Sequence, residues 1–177
     1  SDRGLDWMLS EGPLQALQLD GEALELLRAS LAEVAQAQAA VLALPRANLH
    51  ADLFRDNVLF DGPHLSGVID FYNACSGPML YDVAITLNDW CSTASGSLDL
   101  SRARALLAAY ASLRPFHPAE AERWPCMLRI ACLRFWLSRL IAARQPTALG
   151  VQVKDPDEFR QRLLLRQQVH LPLPLAL

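Results

Sequence analysis

A polar stretch, HADLFRDN at His50–Asn57, lies between a long helical pattern and two short strand-like runs. Before it, apolar residues recur at helical spacing over 21–44. After it, the strand-like runs NVLFDG and HLSGVIDF meet at a turn at Gly62-Pro63 and predict a β-hairpin. The polar stretch is therefore predicted to be a loop between a helix and a hairpin, where side chains can converge on a cleft.

The remainder of the chain is predicted to be mostly helical. Asp20 is placed to cap the first long helix and Pro45 to end it. Helices are expected at about 80–91, 99–113, 118–144 and 156–168, with a break at Pro125 in the third of these. The proline-interrupted tail LPLPLAL is expected to be docked or extended. The predicted fold class is mainly α with a small β-hairpin.

Composition narrows the class of protein. Hydrophobic residues make up 52% of the 177 positions and charged residues 20%, as in one ordinary globular domain. The net charge of −3 gives no electrostatic reason to expect nucleic acid or an anionic membrane as a partner. The four cysteines form no CxxC pair, so we expect neither zinc nor a redox motif, but a reduced cytoplasmic protein. We find no signal-peptide pattern and no apolar window that would span a membrane.

The polar loop has the spacing H-x-D-x-x-x-x-N, and thirteen residues after its asparagine comes the aspartate of VIDF. This combination resembles the catalytic loop and metal-binding segment of protein-kinase-like phosphotransferases, in the branch with aminoglycoside and choline kinases. The resemblance implies that Asp52 accepts the proton of the attacking hydroxyl group. It also implies ATP as a substrate, Asn57 and Asp70 as ligands of Mg²⁺, and His50 as a residue that holds the loop.

Each of these residues has an ordinary structural interpretation when taken alone. Asp52 could be a cap or turn residue, and Asn57 a simple loop residue. Asp70 could be a strand-end carboxylate paired with an arginine, and His50 a buried structural histidine. The four residues at this spacing, followed by a hairpin and helices, favour the kinase-like interpretation.

Three later segments resemble bacterial homoserine kinases of this phosphotransferase fold: DFYNAC, YDVAITLNDWC and KDPDEF. This resemblance implies ATP-dependent phosphorylation of the side-chain hydroxyl of L-homoserine, a step in threonine biosynthesis. In such proteins an aspartate begins a helix packed under the catalytic loop. Asp82 has that position and is interpreted as a structural residue that caps the helix or bonds loop amides and His50.

An amino-acid acceptor needs one anchor for its carboxylate and one for its ammonium group. Arginines on the helix RFWLSRLIAAR could supply the cation, although such arginines commonly face solvent. Arg55 and Asp56 are expected to form a salt bridge within the loop. The candidate substrate-binding residues are Tyr72, Asn88, Asp89, Arg139 and Arg144, with Trp90 beside them.

The sequence lacks features that the resemblance leads us to expect. It contains no G-x-G-x-x-G, and its only lysine, Lys154, lies far from where an N-terminal lobe would be. We therefore interpret residues 1–177 as a kinase-like C-terminal lobe from a protein about twice as long, with SDRGLDWMLSEG entering it. Without the N-terminal lobe, the isolated chain should be inactive. The absence of that lobe should also uncover a surface that includes Leu53, Phe54, Val58 and Phe71, and part of this surface should be an exposed apolar patch that favours self-association.

Three alternatives stay open. The acceptor could be another small hydroxyl compound, such as choline, ethanolamine or an aminoglycoside. The chain could be a metal-dependent hydrolase with His50, Asp52 and Asp70 as ligands, although the other histidines form no second cluster of ligands. It could also be a non-catalytic binding domain that keeps kinase-like helices.

Overall fold

Helices dominate the computed structural model, which describes residues 2–145 and 148–176. The helices are α1 (Leu5–Ala16), α2 (Gly21–Leu42), α3 (Met79–Trp90), α4 (Leu100–Leu113), α5 (Pro118–Arg144) and α6 (Pro156–Arg166). The strands are β1 (Arg46–Leu49), β2 (Val58–Asp61), β3 (His64–Val68) and β4 (Cys75–Pro78). Short 3-10 turns form the end of the polar loop, at Arg55–Asn57, and follow β3, at Phe71–Asn73.

The predicted helices are present, with small shifts at their ends. Asp20 precedes α2 as expected, but its side chain makes no capping hydrogen bond. Helix α5 begins with Pro118 in its first turn, and the Glu120 carboxylate accepts a hydrogen bond from the amide of His117 at 2.8 Å. The predicted break at Pro125 is wrong, because α5 continues through it. Pro125 is exposed, so water can bond the carbonyl that loses its helical donor.

Two features were not predicted from the sequence. Helix α1 occupies the opening segment, where only an entry into the domain was expected. Strand β1 pairs antiparallel with β4, with Leu49 opposite Cys75, and so joins the two ends of the loop-and-hairpin segment. This pairing places the start of α3 directly beneath the polar loop.

Helix α5 forms the centre of the core and packs against α1, α2, α3 and α6. Its two tryptophans, Trp124 and Trp136, are each 1% exposed. Burial of such large apolar side chains supplies most of the driving force for folding. The described part of the tail, residues 167–176, forms no helix or strand. Leu171 and Leu173 are buried, so the prediction of a docked or extended tail is confirmed.

The hairpin of β2 and β3 turns at Gly62, whose φ of 58° lies in the left-handed region that favours glycine. The prediction of an apolar patch here is partly wrong, because Phe54 and Val58 are 6% and 8% exposed and belong to the interior. Leu53 is half-buried, and Phe71 is 59% exposed. Other exposed apolar side chains lie on the hairpin and just after it: Leu59, Phe60, Leu65 and Ile69.

Candidate active site

The loop between β1 and β2 is fastened to α3 by two carboxylates. Asp82 accepts hydrogen bonds from the backbone amides of His50 at 3.1 Å and Ala51 at 2.8 Å. Asp89 accepts one from the backbone amide of Arg55 at 2.8 Å. Asp82 and Asp89 are seven positions apart, which is about two helical turns, so they lie on the same face of α3 and hold the loop at both ends. The loop backbone is therefore fixed independently of any ligand.

The His50 ring links the loop to the segment after the hairpin. Its Nε2 lies 2.8 Å from the carbonyl oxygen of Ile69, and its Nδ1 lies 3.2 Å from the amide nitrogen of Asp52. A carbonyl can only accept, so Nε2 carries the proton and Nδ1 accepts from the amide. The ring also packs against Phe71, with 4.7 Å between centroids. Both ring nitrogens are thus engaged inside the protein.

The Asp52 carboxylate is half-buried at the end of this loop. Its Oδ2 lies 3.3 Å from Nδ2 of Asn73 and 3.5 Å from Nδ2 of Asn57. Burial raises the pKa of Asp52 above its ordinary value, although the positive charge of Arg134 and the bond from Asn73 act in the opposite direction. A carboxylate with a raised pKa is a better proton acceptor than an exposed one.

Asn57 and Asp70 are brought together by the hairpin register. The amide of Ile69 donates to the carbonyl of Asn57 at 2.9 Å, so Asp70 follows directly after the residue paired with Asn57. Nδ2 of Asn57 donates to the carbonyl of Asp52 at 2.8 Å, which leaves its Oδ1 as an acceptor. Asp70 has a left-handed backbone with φ of 62°. The side chains of Asp52, Asn57 and Asp70 line one cleft of about 540 Å³.

The oxygens of Asn57 and Asp70 fit a hard cation such as Mg²⁺, which takes carboxylate and amide oxygen ligands. In the described ranges 2–145 and 148–176, no three His, Cys, Asp or Glu side chains converge as a metal site. The hydrolase alternative required His50 as a ligand. Because both nitrogens of that ring are hydrogen bonded, the geometry does not favour it.

The predicted substrate residues are dispersed. Arg139 lines the cleft, but it is paired with Glu158 and bonds the carbonyl of Asp155. Tyr72 is 76% exposed beyond the hairpin. Arg144 points to Gln15 on α1, outside the lining of the cleft.

Asn88 and Asp89 are both hydrogen bonded to other parts of the protein. Asn88 is 1% exposed, and its Oδ1 accepts from Arg166 at 2.8 Å, so it belongs to the interior. Asp89 bonds the loop through Arg55, as described above. The expected salt bridge between Arg55 and Asp56 is replaced by pairs of Arg55 with Asp89 and of Asp56 with Lys154.

The cleft residues that the sequence did not reveal include Arg3, Asn73, Arg134 and Lys154. Arg134 is 1% exposed and donates to the carbonyl of Ala51, a residue with φ of 61°. The Oδ1 of Asn73 is buried and lacks a hydrogen-bond partner within the described residues. Of these residues, only Lys154 stood out in the sequence, because it is the single lysine in a chain with fifteen arginines.

Comparison with known proteins agrees with this geometry. A profile described as the phosphotransferase enzyme family matches residues 1–116, which include the loop, the hairpin and α3. The chain belongs to the phosphotransferase enzyme family. The matched range contains His50, Asp52, Asn57 and Asp70, the residues on which the resemblance was based.

Individual relatives point in the same direction. The chain is 66% identical over 177 residues to a homoserine kinase of Pseudomonas aeruginosa, covering 100% of the chain and 56% of that protein. It is 46% identical over 162 residues to a homoserine kinase of Methylobacillus flagellatus, covering 91% of the chain and 50% of that protein. The chain thus spans about half the length of these curated relatives.

A solved structure supports the fold class. An ethanolamine kinase of Plasmodium vivax matches with a TM-score of 0.61 at 12% identity, covering 92% of this phosphotransferase chain and 47% of the other. At that identity the likeness concerns the fold alone. Together with the family match, it confirms the prediction of a mainly helical, kinase-like lobe. None of the helices in the described ranges is long and apolar enough to cross a membrane.

Proposed function

We propose that this chain is the catalytic-loop lobe of a homoserine kinase about twice its length. That enzyme transfers the γ-phosphoryl group of ATP to the side-chain hydroxyl of L-homoserine, in threonine biosynthesis. The observation that carries the proposal is the convergence of Asp52, Asn57 and Asp70 on one cleft. All 177 residues of the chain align with a homoserine kinase at 66% identity.

Asp52 accepts the proton of the acceptor hydroxyl in this proposal. Its hydrogen bonds from Asn57 and Asn73 orient the carboxylate, and the fixed loop backbone limits its movement. Arg134 lies close enough to favour the charged form of Asp52 while holding the carbonyl of Ala51. Positioning of this kind supplies much of the rate in phosphoryl transfer.

Asn57 and Asp70 hold Mg²⁺ through their side-chain oxygens. When bound, the ion offsets the negative charge of the ATP phosphates. In the full-length kinase, Asp70→Ala should weaken the binding of Mg²⁺-ATP, measured by isothermal titration calorimetry with and without Mg²⁺. Asp61→Ala, an exposed aspartate at the hairpin turn, is the matched control and should bind normally. Equal Mg²⁺-dependent affinity in both variants would remove Asp70 from the metal site.

The N-terminal lobe of the same protein, in this proposal, covers the phosphates and supplies the lysine that the family resemblance implies. The 177-residue chain alone should therefore release no ADP in the presence of homoserine. The assay compares the purified chain with the full-length kinase at equal concentration. Comparable turnover by the two would overturn the two-lobe proposal.

A coupled ADP-release assay of the full-length kinase tests the acceptor. It compares L-homoserine with choline, ethanolamine and an aminoglycoside at matched concentrations, and we expect a clear preference for homoserine. A higher kcat/KM with any of the others would overturn the substrate proposal while leaving the kinase assignment in place. Absence of ADP release with every acceptor would favour a non-catalytic binding domain.

The proposed compartment is the cytoplasm. The four cysteines, Cys75, Cys91, Cys126 and Cys132, all carry free thiols. Free thiols are typical of proteins in a reducing compartment, where ATP is also available. Fractionation of cells that produce a tagged full-length kinase tests this location.

A further inference from the structure

Lys154 lies at the active-site cleft although it is distant from the catalytic loop in sequence. Its side chain lines the same cleft as Asp52, and also an adjoining pocket of about 400 Å³ that contains Asp89 and Glu158. The ammonium nitrogen lies 3.2 Å from Oδ2 of Asp56. It also lies 5.7 Å from the centroid of the Phe54 ring. Lys154 therefore stands where the catalytic cleft meets the neighbouring pocket.

The other cations of the cleft are committed to the protein. Arg134 donates to the carbonyl of Ala51 from the interior. Arg139 is paired with Glu158, and its side chain is only 10% exposed. Arg3 donates to the Ser138 hydroxyl at 2.9 Å.

Lys154 differs from these arginines in its accessibility. Its side chain is 57% exposed, and that of Asp56 is 64% exposed. An ammonium group has three N–H donors, and the Asp56 carboxylate takes one of them. An exposed ion pair contributes little net stability, so a ligand can enter it without unfolding the site. The pair is consequently able to accept further charged partners.

The backbone on both sides of this pair is fixed. Asp56 lies in the 3-10 turn Arg55–Asn57, four positions after Asp52. Lys154 directly precedes Asp155, whose side chain accepts from the amide of Asp157 at 2.9 Å to cap α6. The carbonyl of Asp155 also accepts a bond from Arg139 at 3.0 Å. The backbone that carries the two charged side chains is therefore held beside the catalytic cleft.

We propose that Lys154 and Asp56 form a zwitterion anchor, in which Lys154 binds the α-carboxylate and Asp56 the α-ammonium group of an amino-acid acceptor. The inference rests on the proposed homoserine kinase function and specifies which residues recognise the acceptor. An α-amino acid carries the same two charges as the ion pair, so each pairs with its opposite. The hydroxyl at the far end of the short acceptor side chain is then directed toward Asp52.

The test uses Lys154→Met and Asp56→Asn in the full-length kinase, with steady-state kinetics in homoserine and in ATP. Each variant should raise the KM for homoserine about tenfold or more, because a charge-assisted hydrogen bond is lost. The KM for ATP should stay within about twofold, because the anchor contacts only the acceptor. Arg160→Met is the control, since Arg160 forms an exposed pair with Asp157 on α6 at 3.1 Å, and its kinetics should match the wild type.

Two truncated acceptors separate the roles of the residues. 3-Aminopropan-1-ol lacks the carboxylate of homoserine, and 4-hydroxybutyrate lacks the ammonium group. Lys154→Met should lose the preference for homoserine over 3-aminopropan-1-ol, and Asp56→Asn the preference over 4-hydroxybutyrate. Loss of both preferences in the same single variant would contradict the assignment of separate charges.

The outcomes distinguish this inference from the function on which it rests. Normal homoserine kinetics in both variants, with an active wild type, would overturn the anchor alone. A rise in the KM for ATP with no change for homoserine would overturn it too, because Lys154 would then contact phosphate. Lack of homoserine turnover by the wild type would overturn the proposed function, and the anchor with it.

Discussion

The Asp82 carboxylate accepts a hydrogen bond from the backbone amide of His50, thirty-two residues earlier in the chain. Its other oxygen accepts from the amide of Ala51, whose left-handed backbone is unusual for a residue other than glycine. The carbonyl of Ala51 is held by Arg134. The conformation that delivers Asp52 to the cleft is thus imposed by α3 on one side and α5 on the other.

We predict that Asp82→Ala lowers both stability and turnover. Two backbone amides lose a charged acceptor, so the free energy of unfolding should fall by about 1.5–3 kcal/mol. Displacement of Asp52 should lower kcat of the full-length kinase by about 10²-fold. Denaturant unfolding and ADP-release kinetics measure the two effects.

Asp99→Ala is the control for that variant. Asp99 accepts a hydrogen bond from the amide of Arg102 at 3.0 Å and caps α4, outside the lining of the cleft. Its loss should reduce stability by about 1 kcal/mol without changing kcat. If both variants lowered kcat in proportion to their instability, Asp82 would have no specific effect on the active site.

Asp52→Asn should separate activity from stability. Removal of the proton acceptor should lower kcat by about 10² to 10⁴. Because burial raises the pKa of Asp52, the charged form destabilises the folded state at neutral pH. The asparagine variant should therefore unfold at a higher denaturant concentration than the wild type at pH 7. That advantage should vanish as the pH falls below about 3.9, where Asp52 is protonated in both states. A variant less stable than the wild type at pH 7 would contradict the direction of the pKa shift.

The same shift predicts the acid limb of the pH-rate profile. Only the carboxylate form of Asp52 accepts a proton, so kcat/KM should fall as the pH decreases through its raised pKa. The apparent pKa of this limb should exceed the ordinary aspartate value of about 3.9. The profile of the full-length kinase from acid to neutral pH measures it, and Asp52→Asn should abolish the limb in the residual activity.

The sequence predicted those parts of the structure that depend on local pattern. The helices follow from apolar spacing, and the loop motif predicted that Asp52, Asn57 and Asp70 would share one cleft. The sequence did not predict contacts between residues that are far apart along the chain. Nothing in the local pattern of Asp89 indicates that its carboxylate bonds the loop rather than a substrate.

Buried arginines were missed for the same physical reason. An arginine on a helix is expected to face solvent, because burial of an unpaired charge is unfavourable. Arg134 and Arg166 are buried because carbonyl and side-chain oxygens from other elements surround their guanidinium groups. Such acceptors are supplied by the tertiary fold, and helical periodicity carries no information about them.

Arg166 provides a stability prediction that is independent of catalysis. Its guanidinium group donates to Asn88 Oδ1, the Gly96 carbonyl and the Ser92 hydroxyl, each at 2.8 Å. Arg166→Met leaves these buried acceptors without their donor, so the free energy of unfolding should fall by at least about 2 kcal/mol. Arg160→Met, on the same helix, should change it by no more than about 0.5 kcal/mol. Equal urea midpoints for the two variants would show that this buried network does not stabilise the fold.

The exposed side chains of Leu59, Phe60, Leu65, Ile69 and Phe71, here called the hairpin patch, should make the 177-residue chain self-associate. Phe60 and Leu65 are cross-strand partners and are 51% and 61% exposed, so they present adjacent apolar surface to water. The double variant Phe60→Ser and Leu65→Ser should shift the mass measured by light scattering toward the monomer at the same concentration. Leu17→Ser is the control, because Leu17 is 80% exposed just beyond α1 and lies outside the patch. A wild-type chain that stays monomeric at high concentration, or a control that dissociates as well as the double variant, would contradict a role for this patch. In the full-length kinase the same double variant should have no effect on mass if the N-terminal lobe covers the hairpin, as the two-lobe proposal requires.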